Sequence, residues 1–249
     1  MEELSANAWA AFSTSVYDGW LVRSAEGYTK RANSVLPLYS STIELRKKME
    51  YCSDYYRSRG LPVIFKMTEA SLPRELDAHL AAEGFASNDE SSLYVLHMGQ
   101  PSRLSSGRTV IDRTISDAWI DGFLRCSRID ALTRRGITSR FARHLPGATL
   151  AARSVVDEEV AGCGIGVVED GWVGLFDIVV DPDRRRQGIA TEIVSALLDH
   201  SAEMGARWAY LQVLERNEAA KRLYTGLGFS ELYRYWYRVN SELIHSRRE

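Results

Sequence analysis

At 249 residues and 45% hydrophobic content, the chain is long enough for one large domain or two ordinary ones with real cores. Lys+Arg 31 against Asp+Glu 33 leaves a net charge of −2, so no overall excess advertises nucleic acid or an anionic membrane, and no run approaches the ~18 apolar residues of a membrane span. The acidic start MEELSANAWA lacks the basic flank of a secretory signal, and Cys52, Cys126 and Cys163 are too few and too scattered for a disulfide framework or a zinc site. A cytoplasmic address with reduced thiols is the expectation.

In chain order, "YDGWLVRS" and "YTKRANSVLPL" read as two strands joined around Ala25, Glu26 and Gly27, followed by a helix from about Ile43 to Arg59. A strand "LPVIFKM", a helix through "PRELDAHLAAEGF" and a strand "SSLYVLHM" complete the first half. Pro, Ser and Gly then break the periodicity at Met98–Gly107, which reads as a linker between domains at 1–100 and 108–249. Beyond it come a helical segment over Ser116–Leu145, the strand pattern around "GCGIG", the strand "WVGLFDIVV", and a long amphipathic helix to Met204. The strand "WAYLQVL", the helix "NEAAKRLYTGLGF" and the strand "YRYWYRV" close the chain.

Both halves thus end in the order strand, helix, Gly-Phe, strand. Gly60 matches Gly205, "VIFKM" matches "AYLQV", and "AAEGF" (Ala81 to Phe85) matches "TGLGF" (Thr225 to Phe229), the mark of a duplicated fold. One feature is not duplicated: "VVDPDRRRQGIA", Val179 to Ala190, puts Arg184, Arg185 and Arg186 ahead of a glycine at the strand-to-helix junction. There the first helical N–H groups lack intrahelical partners and the dipole favours an anion, and Gly188 lets the backbone approach it closely. No Gly-Lys-Ser/Thr end and no GxGxxG stands at this junction, so neither a nucleoside-triphosphate loop nor a dinucleotide fingerprint is present. "GCGIG" lies inside a strand and reads as structural. The first half therefore reads as a degenerate copy without its own cofactor.

Arg185-x-x-Gly188-x-Ala190 after a strand ending Val-Asp-Pro, followed by Asn217, Ala220, Leu223, Tyr224 and Gly228-Phe229, resembles the GCN5-related N-acetyltransferase superfamily over Thr109 to Val239. The resemblance implies an α/β (α+β) fold with a mixed, mostly antiparallel sheet flanked by helices, duplicated as in tandem members. It implies acetyl-CoA as co-substrate, with Arg185, Arg186, Gln187, Gly188, Ile189, Ala190 and Thr191 around its phosphates. Ile178, Val179 and Val180 would lie beside the pantetheine where two strands splay, and Asn217 and Ala220 would also contact the cofactor. Ala190 stands where glycine is commoner.

Acetyl transfer to an amine needs a neutral nucleophile, a stabilised oxyanion and a proton for the leaving thiolate. Tyr224 matches the family tyrosine that meets the sulfur, with packing on an amphipathic helix as the plain alternative; Asn217 is either a cofactor contact or a helix cap. Where some relatives carry a glutamate stands Gln212, which cannot accept a proton. Asp177, an acid in an apolar strand, is the candidate base, and pairing with an arginine is its alternative; strand alternation would point it the same way as Val179. Glu215 is a weaker candidate. Of the aromatics, Tyr233, Tyr235, Trp236 and Tyr237 with Trp20 and Tyr28 either pack the core or line an acceptor cleft. The five histidines form no metal-binding pair. The partner expected is a small-molecule or protein amine, not nucleic acid or membrane, and the two halves pack within one chain or across a homodimer. The competing class is a non-catalytic acyl-CoA sensor.

Overall fold

The computed structural model describes residues 1–99 and 108–240. The chain begins with helix α1 (Glu2–Ala8), then strands β1 (Ser13–Tyr17), β2 (Trp20–Ser24) and β3 (Val35–Pro37), helix α2 (Leu45–Arg57), strand β4 (Val63–Thr68), helix α3 (Leu76–Ala82) and strand β5 (Ala86–His97). After the undescribed stretch follow β6 (Thr109–Asp112), α4 (Asp117–Cys126), α5 (Ala131–His144), β7 (Thr149–Val156), β8 (Glu159–Glu169), β9 (Trp172–Val180), α6 (Ile189–Glu203), β10 (Trp208–Leu214), α7 (Glu218–Gly226) and β11 (Ser230–Asn240). Most of the linker expected at Met98–Gly107 lies outside the described residues.

The first hairpin differs from expectation. Asp18 and Gly19, both at positive φ, form its turn, so "YDGWLVRS" holds the end of one strand and the whole of the next. Asp-Gly suits a tight two-residue hairpin turn because both central residues adopt left-handed backbone. Gly19 is also sterically required, since a Cβ there would lie 2.5 Å from the Ser40 carbonyl oxygen. Ala25 to Gly27 instead leads into a 3₁₀ turn at Lys30–Ala32.

All strands join one mixed sheet in the order β1-β2-β3-β4-β11-β5-β10-β9-β8-β7-β6. The last strand, β11, lies between β4 and β5 of the first half, and β5 in turn pairs with β10 of the second. Each half of the sheet is therefore completed by a strand from the other. The repeated Gly-Phe ends are built alike: Gly84 and Gly228 are at positive φ, Phe85 N–H donates to the Leu80 carbonyl, and Phe229 N–H donates to the Tyr224 carbonyl, each at 3.0 Å.

Alternation sorts the core by face. Trp9, Trp119, Phe141, Ile165, Phe176 and Tyr210 form one buried cluster, whereas Leu175, Ile189, Ile193, Leu197, Ala209, Leu211 and Tyr224 form another. The three glycines of "GCGIG" occupy alternate positions of β8 beneath α6. A Cβ on Gly162 would lie 2.9 Å from Ile193, and one on Gly164 would lie 2.6 Å from Ile178 and 2.8 Å from Ile193. Bare backbone there lets α6 settle against the sheet, which positions the start of the helix beside the end of β9.

Candidate active site

The strands β9 and β10 run parallel and pair only from Trp208–Leu211 against Trp172–Leu175. Past Leu175 they part. In β9, Phe176 pairs with Ile165 and Val179 with Cys163, so Asp177 and Ile178 together oppose one residue, Gly164: a β-bulge with Asp177 at φ +50°. The bulge reverses the expected alternation. Phe176 and Val179 pack on one face, Ile178 and Val180 on the other, and Asp177 no longer shares a simple alternation with Val179.

A cavity of about 410 Å³ fills the gap between the strands. It brings together Asp177, Ile178, Gln212, Asn217, Ala220 and Tyr224, all singled out in the sequence. Val179 and Val180 continue β9 beyond the cavity wall, paired to Cys163 and Gly162. The wall also holds Thr29, Lys30, Arg31, Asp89 and Ser91 from the first half, which sequence reasoning missed because only the fold carries them to this place. Tyr235 and Tyr237 of β11 line it too. Trp20, by contrast, is fully buried in the first half's core, its indole N–H donating to the Leu72 carbonyl at 2.9 Å, so it is no part of the cleft. Tyr28 packs on Phe141 with ring centroids 4.6 Å apart.

Asp177 is half-buried and makes no hydrogen bond or ion pair among the described residues. Burial pushes its carboxyl up to about 6, and the Arg31 guanidinium only partly opposes that rise. The expected alternative, a direct arginine salt bridge, is thus not formed. Glu215 is differently placed: the Ser92 hydroxyl and Lys221, whose Nζ is 3.0 Å away, hold its carboxyl below the ordinary value. Gln212 is a bridge, donating to Ser5 Oγ at 2.9 Å and accepting from the Tyr235 hydroxyl at 3.4 Å.

Tyr224 is 7% exposed, its ring against Phe229, and burial raises its hydroxyl to about 12. It is both a packed helix residue and a cavity residue, with no side-chain hydrogen bond among the described residues. Asn217 likewise serves two positions, since its Oδ1 caps α7 by accepting from Ala220 N–H at 3.2 Å while the residue faces the cavity.

The arginine loop follows β9 directly. Arg184 is committed to Asp157 at 2.8 Å, whereas Arg185 and Arg186 are exposed and make no ion pair among the described residues. Arg186 and Gly188 both take positive φ. Helices α4, α5 and α7 are capped by the side chains of Ser116, Asp130 and Asn217, but α6 begins at Gly188 with no side-chain cap. The N–H groups over Ile189 to Thr191 are therefore left for an external acceptor, next to two uncommitted guanidinium groups.

A splayed strand pair with a bulge, a buried tyrosine in the cavity between them and an uncapped helix start after the bulged strand are the features of a GCN5-related N-acetyltransferase. The family described as "Probable histone acetyltransferase Rv0428c C-terminal" matches residues 1–238, and the chain belongs to it. The N-acetyltransferase YobR of Bacillus subtilis, described as uncharacterized, is 30% identical over 246 residues, covering 96% of this chain and 97% of that protein. In fold, the chain is similar to a GCN5-related N-acetyltransferase from Kribbella flavida, with a TM-score of 0.69 at 13% identity over 96% of this chain and 95% of that one. A tandem protein of the same superfamily from the clavulanic acid biosynthesis pathway superposes with a TM-score of 0.62 at 14% identity, over 96% and 86% of the two chains. The protein is an N-acetyltransferase, an enzyme that moves an acyl group to an amine.

Proposed function

We propose that the protein acetylates a primary amine of a small molecule or protein by direct transfer from acetyl-CoA. The observation that carries this reading is the uncapped start of α6, with Arg185 and Arg186 free of ion pairs among the described residues, beside the end of β9, the strand that parts from β10 after Leu175. Arg185, Arg186 and the backbone of Gln187 to Thr191 hold the pyrophosphate; Ile178, Val179 and Val180 lend backbone groups to the pantetheine; Asn217 and Ala220 bound its other side. Acetyl-CoA, when bound, supplies an acetyl group activated as a thioester.

Asp177 takes a proton from the incoming ammonium, directly or through water. Raised to about 6, it is ionised at neutral pH yet more basic than an ordinary aspartate. The freed lone pair forms the C–N bond, the C–S bond breaks, and Tyr224 hands its hydroxyl proton to the departing sulfur; the proton then shed by the new amide nitrogen restores Tyr224 through water, and the one held by Asp177 leaves to solvent. Its raised pKa keeps that proton in place at any working pH. The net exchange is one acetyl group for one proton between amine and thiol.

We also read residues 1–100 as a copy that has lost the cofactor and 108–249 as the catalytic one. Two observations support this. The amides of Thr42 and Ile43, in the segment that leads into α2, donate to the Asp18 carboxylate at 2.8 to 3.1 Å, so one of the protein's own anions already takes up amides of that connection. Leu80, which stands in the first repeat where Tyr224 stands in the second, has no proton to give. The buried, unpaired thiols of Cys52, Cys126 and Cys163 suit the reducing cytoplasm.

Calorimetry with acetyl-CoA and a thiol-release assay over an amine panel test the reading. Binding of acetyl-CoA with thiol released only when an amine is present is expected; absence of binding ends it.

A further inference from the structure

Arg31 stands in the cavity with no charge to match it. Its guanidinium carbon is 5.1 Å from the Trp9 ring centroid and 5.3 Å from that of Phe176, beside two rings that themselves pack 5.1 Å apart. Its Nε is buried and has no hydrogen-bond partner, and it forms no ion pair among the described residues. The neighbouring charges are already satisfied. Lys30 is paired with Asp89 at 2.7 Å, Lys66 with Glu2 at 2.7 Å, and Arg23 donates to the carbonyls of Ala6, Trp9 and Arg31. Asp177 shares the cavity with Arg31 but is not within ion-pair distance of it. The wall thus presents one uncommitted cation and one uncommitted anion, apart from each other.

We propose that Arg31 binds a carboxylate on the acceptor, and that the substrate class is an amine bearing a carboxylate, as in an amino acid. This rests on the acetyl-transfer reading above and assigns its acceptor. The ammonium end meets Asp177, beside the bulge where the acetyl group is delivered, while the carboxylate end meets the guanidinium. A guanidinium matches a carboxylate with two parallel N–H···O bonds, and the cation–π contacts with the adjoining Trp9 and Phe176 rings hold it at the cavity wall in advance. Nε is buried without a protein partner, and an incoming carboxylate supplies the acceptor it lacks. The first half, though without a cofactor, then supplies the acceptor's recognition wall.

The test is thiol release with matched acceptors, free amino acids and ω-amino acids against their carboxamides, in the wild type, Arg31→Met and Arg31→Lys, with acetyl-CoA calorimetry and melting temperature as folding controls. The acids are expected to exceed the carboxamides in kcat/KM by about tenfold or more, the range of one charge-assisted contact. Arg31→Met is expected to erase that ratio and Arg31→Lys to retain part of it, which covers the case of a Met variant that fails to fold. Equal use of acids and carboxamides, or a preference that survives loss of the guanidinium, overturns the inference while leaving the transferase reading intact. So does a protein that binds acetyl-CoA and turns over no carboxylate-bearing amine. A protein that binds no acetyl-CoA overturns both.

Discussion

Glu2 and Lys66, separated by 64 residues, lie 2.7 Å apart inside the protein, and the Tyr233 hydroxyl donates to the same carboxylate at 2.5 Å. This contact ties α1 to the strands β4 and β11. Burial works to raise the Glu2 carboxyl, but Lys66 and Tyr233 together hold it below its ordinary value. Glu2→Gln leaves the Lys66 ammonium buried without its counter-charge, a change that costs about 3 kcal/mol or more in such settings. Because the folded-state pKa is depressed, the carboxylate's contribution is complete above the ordinary glutamate range and is lost as pH falls through the depressed value. Chemical denaturation at neutral pH is expected to separate wild type from variant clearly, and the gap is expected to narrow in strong acid.

Asp177 has the opposite sign. Its pKa, raised to about 6, means that the folded protein binds the proton more tightly than the unfolded chain, so this group's effect on stability turns unfavourable as pH rises from about 4 to 6. Asp177→Asn is therefore expected to be at least as stable as wild type at pH 7. In activity the variant is expected to lose the ascending limb near pH 6 in kcat/KM, with a rate drop of about a hundredfold or more. A pH–rate profile that keeps its limb in the variant removes Asp177 as the base.

Tyr224→Phe deletes a hydroxyl that has no side-chain partner among the described residues and retains the ring against Phe229. Stability should change by under about 1 kcal/mol, since no buried hydrogen bond is broken. The loss should fall on kcat, by about a hundredfold, with the acetyl-CoA dissociation constant nearly unchanged. Steady-state kinetics alongside calorimetry separates the two quantities.

At Gly188 the φ of +80° sets the cost, because the nearest atom to an added Cβ is Glu192 Oε1 at 4.0 Å. Gly188→Ala is expected to lose about 1–2 kcal/mol of stability from left-handed backbone strain, and Gly188→Val more, with weaker acetyl-CoA binding in both. Arg185→Glu combined with Arg186→Glu should weaken binding without the loss of stability, since neither arginine has an ion pair to lose among the described residues. Calorimetry on the three variants checks both statements.

The shared sheet predicts that residues 108–249 do not fold alone. Without the first half, β10 loses β5 on one edge and β11 loses both β4 and β5. Exposed edges of that length pair with other chains. Expressed alone, the fragment is expected to aggregate, and coexpression with residues 1–100 to restore a soluble complex; a soluble, cooperatively melting fragment contradicts this.

The acceptor site was only partly legible beforehand. The loop, Asp177, Asn217 and Tyr224 announce themselves through residue type and spacing. Asp177 still turned out differently oriented, because a bulge depends on pairing with Gly164 and not on its own neighbours in sequence. Trp20 offered the same aromatic signal as Tyr235 and Tyr237, yet only the latter two reach the cavity.

By itself the sequence determined what short-range physics controls: the periodic face of α6, the Asn217 cap, the αL glycine ahead of a helix, and the repeated Gly-Phe endings. Tertiary structure alone decided which strands exchange between the halves and that Arg31 and Asp177 line one cavity. Those outcomes depend on pairing between segments far apart along the chain, for which an arginine in a loop and a strand of alternating tyrosines carry no local mark.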